Sequence, residues 1–94
     1  MKHGQNFLER ITDGADLSGE PIPGGTLVEI AGDSRVLIEN HCGITQYSRE
    51  RICVKVKFGV ISVCGCNLEL IRMTKEQLII SGKIEHIGLS RRVR

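Results

Sequence analysis

Apolar and polar residues alternate in short runs through the second half of the chain, and single glycines separate many of the runs. In one run Ile52, Val54 and Val56 fall on one face of an extended chain, while Lys55 and Lys57 fall on the other face. A period of two residues is typical of half-buried β-strands. Similar runs occupy residues 60–63, 68–71 and 77–80, after turns predicted near Gly59, Gly65 and Thr74. This half of the chain therefore predicts a small all-β domain.

An earlier pair of runs, residues 27–30 and 36–39, predicts a β-hairpin. The residues between the runs include Gly32 and Asp33, which suit a tight turn. Alternation puts Glu29 on the face opposite to Val28 and Ile30, as in a sheet that is covered mainly on one side. The later runs recur roughly every eight to ten residues, a spacing compatible with a β-sandwich, a rolled sheet or a short β-solenoid of mostly antiparallel strands.

The chain divides into three segments by composition. Residues 1–25 are a polar segment whose apolar positions 7, 8, 11 and 15 have helical spacing, which predicts a short amphipathic helix followed by a linker rich in proline and glycine. The β domain is expected over residues 26–89. Residues 90–94 form a basic tail that contains Arg91, Arg92 and Arg94.

Length and charge restrict the function. A chain of 94 residues makes one thin-cored domain, with a net stability of about 5 to 15 kcal/mol, so self-association or a partner is expected to help. The formal net charge of +2 is too small to make nucleic acid the default partner. Without an export signal or an apolar span of about 18 residues, the chain is expected in the cytoplasm, where its cysteines stay reduced.

The most distinctive string lies between the hairpin and the glycine-rich half: Ile-Glu-Asn-His-Cys-Gly-Ile at residues 38–44. Two further strings are Ile-Ser-Val-Cys-Gly at 61–65 and Leu-Ile-Ile-Ser-Gly-Lys-Ile-Glu at 78–85. In this order, over residues 26–89, they resemble the YabP/YqfC-like family of sporulation proteins of endospore-forming bacteria, and within it the YqfC branch. The matching positions are Ile38, Glu39, Asn40, His41, Gly43, Gly65, Gly82 and Glu85.

The resemblance implies a small protein of the mother cell with a structural or regulatory role. It also implies a larger membrane-anchored sporulation protein as a partner, and a location in the cytoplasm, including the surface of the forespore membrane. The family pattern contains no catalytic residues, so the matching positions carry over only as residues that shape the domain. No enzymatic activity and no cofactor are expected.

The cysteines raise an alternative function. His41, Cys42, Cys64 and Cys66 are residue types that bind zinc, and four ligands would complete a tetrahedral site. The spacing favours a turn at 40–43 instead, because structural zinc sites usually use Cys-x-x-Cys and adjacent ligands on an extended chain point apart. A nucleophilic Cys42 activated by His41 lacks an orienting third group. Cys53, Cys64 and Cys66 are therefore interpreted as packing residues, with Cys53 partly exposed on the lysine face.

Basic residues cluster in two places, around one strand and in the tail. Arg49, Arg51, Lys55 and Lys57 surround residues 51–56, and Arg91, Arg92 and Arg94 end the chain. The arginine tail suits contact with an anionic membrane surface, and the alternative is a solvated tail that keeps the domain soluble. Single-stranded nucleic acid is not expected, because binders of that class present aromatic stacking platforms and this chain has few aromatic residues.

The sequence thus predicts a non-enzymatic sporulation protein that acts as a structural, assembly or regulatory module. Its predicted partners are a membrane-anchored protein, a further copy of the chain and the membrane surface. The alternative is a metal-binding or redox-responsive module that uses the cysteine and histidine residues.

Overall fold

The computed structural model describes residues 25–92 and shows an all-β fold, as the alternation predicts. No helix occurs within these residues. The predicted N-terminal helix and Arg94 lie outside the described residues. The strands are β1 (Leu27–Ala31), β2 (Arg35–Glu39), β3 (Ile44–Tyr47), β4 (Arg51–Val56), β5 (Gly59–Met73) and β6 (Gln77–Arg91).

All six strands belong to one sheet with the order β1-β2-β6-β5-β4-β3, and every neighbouring pair is antiparallel. The mostly antiparallel arrangement that the sequence predicts is confirmed. The predicted hairpin is confirmed, because β1 pairs with β2 along its whole length, from Leu27 with Glu39 to Ala31 with Arg35. The turn predicted near Thr74 connects β5 to β6, and the turn predicted near Gly59 falls just before that residue.

The turn predicted near Gly65 is wrong, because β5 runs through this glycine as one strand of 15 residues. The register of β5 against β6 shifts between Cys64 and Gly65 and again between Cys66 and Glu69, and Asn67 has a φ of 52°. Such bulges bend a strand and increase its twist without ending it. The glycine and its polar neighbours therefore mark a bend and not a chain reversal.

The bend gives each long strand two different sets of neighbours. Residues 59–64 of β5 pair with β4, whereas residues 77–81 of β6 pair with β2. We call β1, β2 and the adjoining parts of β6 and β5 the first layer (β6 residues 77–81, β5 residues 69–73). We call β3, β4 and the other parts of β5 and β6 the second layer (β5 residues 59–64, β6 residues 83–91).

Glycine is required where the long strands bend, because their backbones approach closely. A Cβ atom on Gly65 would overlap the carbonyl oxygen of Lys83. A Cβ atom on Gly82, which has a φ of 142°, would lie 2.6 Å from the carbonyl oxygen of Asn67. Two of the positions that match the family pattern are thus explained by the close packing of β5 against β6.

The core lies between the inner faces of the two layers. It is aliphatic, as the composition predicts, and its largest side chains are fully buried. The first layer contributes Val36, Ile38, Leu78 and Ile80, the second contributes Ile52, Val54, Val56, Ile61 and Val63, and Leu68 lies at the bend. The predicted inner face of β4, at positions 52, 54 and 56, is confirmed.

The last strand is longer than the sequence predicts. The expected domain boundary lies at residue 89, but β6 continues to Arg91, which pairs with Gly59. Arg91 is therefore a strand residue, and Arg92 is the first residue after β6.

Candidate functional site

The Asn40–Gly43 corner connects β2 in the first layer to β3 in the second layer. Asn40 has a φ of 63° and Gly43 a φ of 114°, so both occupy backbone regions that favour these residue types. The Asn40 side chain donates from Nδ2 to the carbonyl oxygen of Gly25 at 2.6 Å. The corner is anchored to β4 by two backbone hydrogen bonds, from Cys42 N to Lys55 O at 2.7 Å and from Lys55 N to Gly43 O at 2.8 Å.

The imidazole of His41 completes the corner. Its Nε2 lies 2.9 Å from the carbonyl oxygen of Thr74 in the β5–β6 turn, and its Nδ1 lies 3.0 Å from the backbone nitrogen of Gly43. A carbonyl oxygen only accepts hydrogen bonds, so Nε2 carries the proton and Nδ1 accepts from Gly43. The ring thus ties the β5–β6 turn to the corner.

Two further family positions take part in side-chain contacts between strands. Glu39 Oε2 accepts a hydrogen bond from Gln77 Nε2 at 3.2 Å, which joins the ends of β2 and β6. Glu85 Oε2 accepts a hydrogen bond from the Cys66 thiol at 3.7 Å on the exposed side of the bend. These contacts join β2 to β6 and β5 to β6.

The four residues of the predicted metal site, His41, Cys42, Cys64 and Cys66, have different surroundings. Both nitrogens of His41 are engaged by the backbone, Cys42 and Cys66 are exposed, and Cys64 is half-buried. Within residues 25–92 no group of at least three His, Cys, Asp or Glu side chains comes together as a metal site would require. The structure therefore does not bring His41, Cys42, Cys64 and Cys66 to one point.

Two predictions about the cysteines are wrong. Cys53, predicted to be partly exposed, is only 5% exposed because it contacts Gln46 of β3, whose Oε1 lies 3.7 Å from the Cys53 sulfur. Cys66, predicted to pack within a strand, is exposed because it lies in the bulged part of β5. The alternation of apolar and polar residues does not reveal that β3 shields Cys53 on one side of β4. It also does not reveal the bulge that exposes Cys66.

The outer face of the second layer is basic. Lys55 of β4, Val60 of β5 and Ser90 of β6 form one row across this face. The row lies in a shallow groove of about 350 Å³, which is lined by Thr45, Lys55, Gly59, Val60, Ser90, Arg91 and Arg92. No acidic residue lines this groove. Two of the tail arginines thus join a lysine that is distant in sequence.

Arg51 extends the basic face along β4, two residues before Cys53. A hydrogen bond with the Cys53 side chain raises the pKa of Arg51, and a guanidinium is charged at neutral pH without any such shift. Lys57 follows in the β4–β5 turn, where its carbonyl oxygen accepts a hydrogen bond from Arg92 Nη2 at 3.1 Å. That contact holds the Arg92 side chain beside the groove.

Comparison with known proteins gives one match. The model of the YabP family matches residues 24–93, which include every described residue. The chain belongs to the YabP family. No curated protein and no solved structure matches it. The predicted family is confirmed, its YqfC branch stays a prediction, and membership indicates a sporulation-related protein.

Within residues 25–92, this YabP-family domain also leaves parts of its sheet edges unpaired. Among the described strands, β6 pairs only with β5 from residue 85 onwards, because its pairing with β2 ends at Ser81 and Asp33 holds Ile84 through a backbone hydrogen bond of 2.8 Å. Leu89 on this edge is 64% exposed, and Ile30 on the β1 edge is 52% exposed. Within residues 25–92 there is no helix long and apolar enough to cross a membrane.

Sequence reasoning missed the basic groove of the YabP-family domain. It placed Lys55 and the tail arginines in separate clusters, because nothing in the pattern fixes which strand lies beside β5 on each side. A usable signal was present, since no acidic residue occurs between Glu50 and Glu69 or after Glu85. Two long segments without acids, both in strands, indicate a face of one charge sign once those strands are known to pair.

Proposed function

We propose that this protein is a non-enzymatic module of sporulation in the mother cell, with a structural, assembly or regulatory role. In this proposal it binds a membrane-anchored sporulation protein by extending its sheet. Family membership supports the sporulation setting. The mode of binding is argued from the unpaired edges of the sheet.

The free edge of β6, residues 85–91, is the observation that carries the proposal. An unpaired strand edge offers a row of backbone N–H and C=O groups to which an extended segment of a partner can add as a further strand. Natural proteins usually protect such edges with proline, charged side chains or a covering element. This edge has no proline, and it carries Leu89 with 64% of its surface exposed.

The two terminal strands of the sheet, β3 and β1, suit this role less well. β3 has only four residues, and its register against β4 is broken by an irregularity between Ile44 and Gln46. β1 is regular but has five residues and carries the charged Glu29 at its centre. The β6 edge is longer than either of these strands and its pairing to β5 is regular from His86 to Arg91.

The test is copurification of the tagged full chain with membrane proteins from sporulating cells. We expect Leu89→Lys to lose the membrane-anchored partner, because a lysine on the edge opposes strand addition. Ile30→Lys, a matched change on the β1 edge, is expected to retain it. Circular dichroism of both variants checks that the sheet is intact. Retention of the partner by a folded Leu89→Lys variant would contradict the proposed edge, and the absence of any sporulation partner from the wild-type chain would contradict the function.

A further inference from the structure

We propose that the outer face of the second layer binds the surface of a membrane that contains anionic lipids, independently of the protein partner proposed above. The face is defined by Arg51, Lys55, Lys57 and Arg92, and Arg91 lines the end of its groove. The lipid phosphates would occupy the groove between β4 and β6, and the remaining cations would contact neighbouring headgroups.

Charge is distributed unevenly between the outer faces of the two layers. Lys55, Arg91 and Arg92 line the groove together with the hydroxyl-bearing Thr45 and Ser90, and its lining contains no carboxylate. Ammonium and guanidinium groups with adjacent hydroxyl donors are the side chains that bind phosphate oxygens. By contrast, Glu29 and Arg35 are both among the residues that line the groove on the first layer, where the charges are mixed. The basic character is therefore a property of one face and not of the whole molecule.

The outer face of the second layer is flat at its centre. Ser62 of β5 pairs with Gly88 of β6, so short side chains occupy the centre of this part of the sheet. Longer cationic side chains stand around it: Arg51 and Lys55 lie four residues apart on β4, about 13 Å along the strand. Arg91 and Arg92 lie two strands away, about 10 Å across the sheet. A flat centre with cations at its margins fits a planar surface of anionic groups.

Nucleic acid fits this face less well. Binders of single strands stack bases on exposed aromatic side chains of a sheet. None of the residues that line the groove is aromatic. Phe58, in the adjacent turn, packs against the hydrophobic core instead. An anionic lipid surface requires only charge and hydrogen-bond donors, and this face supplies both.

The test is co-sedimentation of the full chain with large unilamellar vesicles of phosphatidylcholine, with and without phosphatidylglycerol. We expect binding only to the anionic vesicles, with a strong decrease as salt increases. Each basic residue near an anionic surface contributes about fivefold to the partition coefficient, so the triple variant K55Q/R91Q/R92Q is expected to lose about a hundredfold.

A matched triple variant controls for net charge. R35Q/R72Q/K75Q removes the same number of charges from exposed positions outside the basic face. It is expected to retain most of the binding. Equal losses in the two triple variants would overturn the proposed face, as would equal binding to neutral and anionic vesicles. Tighter binding to a single-stranded oligonucleotide, lost in K55Q/R91Q/R92Q, would overturn the lipid assignment in favour of nucleic acid.

Discussion

Replacing His41 by alanine tests whether the Asn40–Gly43 corner holds the two layers together. The substitution removes the hydrogen bond of Nε2 to Thr74 O and leaves the Gly43 N–H without its acceptor, Nδ1. The carbonyl oxygen of Thr74 lies at an exposed turn and can be hydrated. The Gly43 N–H is part-buried, so its loss of a partner is the larger effect.

The magnitude follows from these two contacts. A hydrogen bond whose groups become hydrated is worth about 0.5 to 1.5 kcal/mol, and a buried donor left without an acceptor costs about 1 to 3 kcal/mol. Because the Gly43 N–H is only part-buried, we expect His41→Ala to lower the free energy of unfolding by about 2 kcal/mol. That is a large fraction of the net stability of a domain of this size, which is about 5 to 15 kcal/mol.

Urea denaturation followed by circular dichroism measures this loss. For a small domain the dependence of the unfolding free energy on urea is about 1 to 1.5 kcal/mol per molar, so the midpoint should fall by about 1.5 to 2 M. The slope should stay unchanged, since the core is not altered. His86→Ala is the matched control: His86 is exposed on the outer face, and its loss should cost less than about 0.5 kcal/mol. Equal stabilities of the two variants would show that the imidazole of His41 does not hold the corner.

Two further predictions concern the bend and the thiols. Gly65→Ala should destabilise the fold by about 3 kcal/mol or more, because the added Cβ would overlap the Lys83 carbonyl oxygen. In the control variant Gly32→Ala the added Cβ meets no atom within 4 Å, so the cost should be only about 1 to 2 kcal/mol, from the φ of 59° at this position. Similar thermal unfolding of the two variants would argue against the close approach of β5 and β6. A thiol reagent should modify Cys42 and Cys66 rapidly in the native protein and Cys53 only on unfolding. Mass spectrometry of the labelled peptides measures the rate of modification at each cysteine. Rapid labelling of Cys53 would show that β3 does not shield it.

The sequence predicts the strands best where one face is fully buried. Ile52, Val54 and Val56 alternate with polar or thiol residues, and their burial on one face is as predicted. β3 was not predicted, because only Ile44 of its residues contributes to the core and an irregularity interrupts its pairing. A strand at the margin of a sheet is defined by its backbone pairing, which leaves little trace in hydrophobic pattern.

The bend is the second feature that pattern does not resolve. A glycine between two apolar runs is as compatible with a turn as with a bulge, and Gly65 proved to be the latter. What requires a glycine at position 65 is the close approach of the Lys83 carbonyl oxygen, which lies 18 residues away in the sequence. Because β5 bends and does not reverse, β6 can reach Arg91 beside β5, and the arginines come to lie near Lys55. The same missed bend therefore concealed the basic groove.

The residues that identify the family and the residues of the basic groove meet at Lys55. Its backbone is bonded to the corner on one side, through Cys42 and Gly43, and is paired with Val60 of β5 on the other. Its side chain lines the groove with Arg91. Since both neighbours fix the position of the Lys55 backbone, the corner sets where this cation stands relative to the end of β6. The distinctive Asn-His-Cys-Gly string thus helps to position Lys55 on the proposed membrane-binding face, although none of its own side chains belongs to that face.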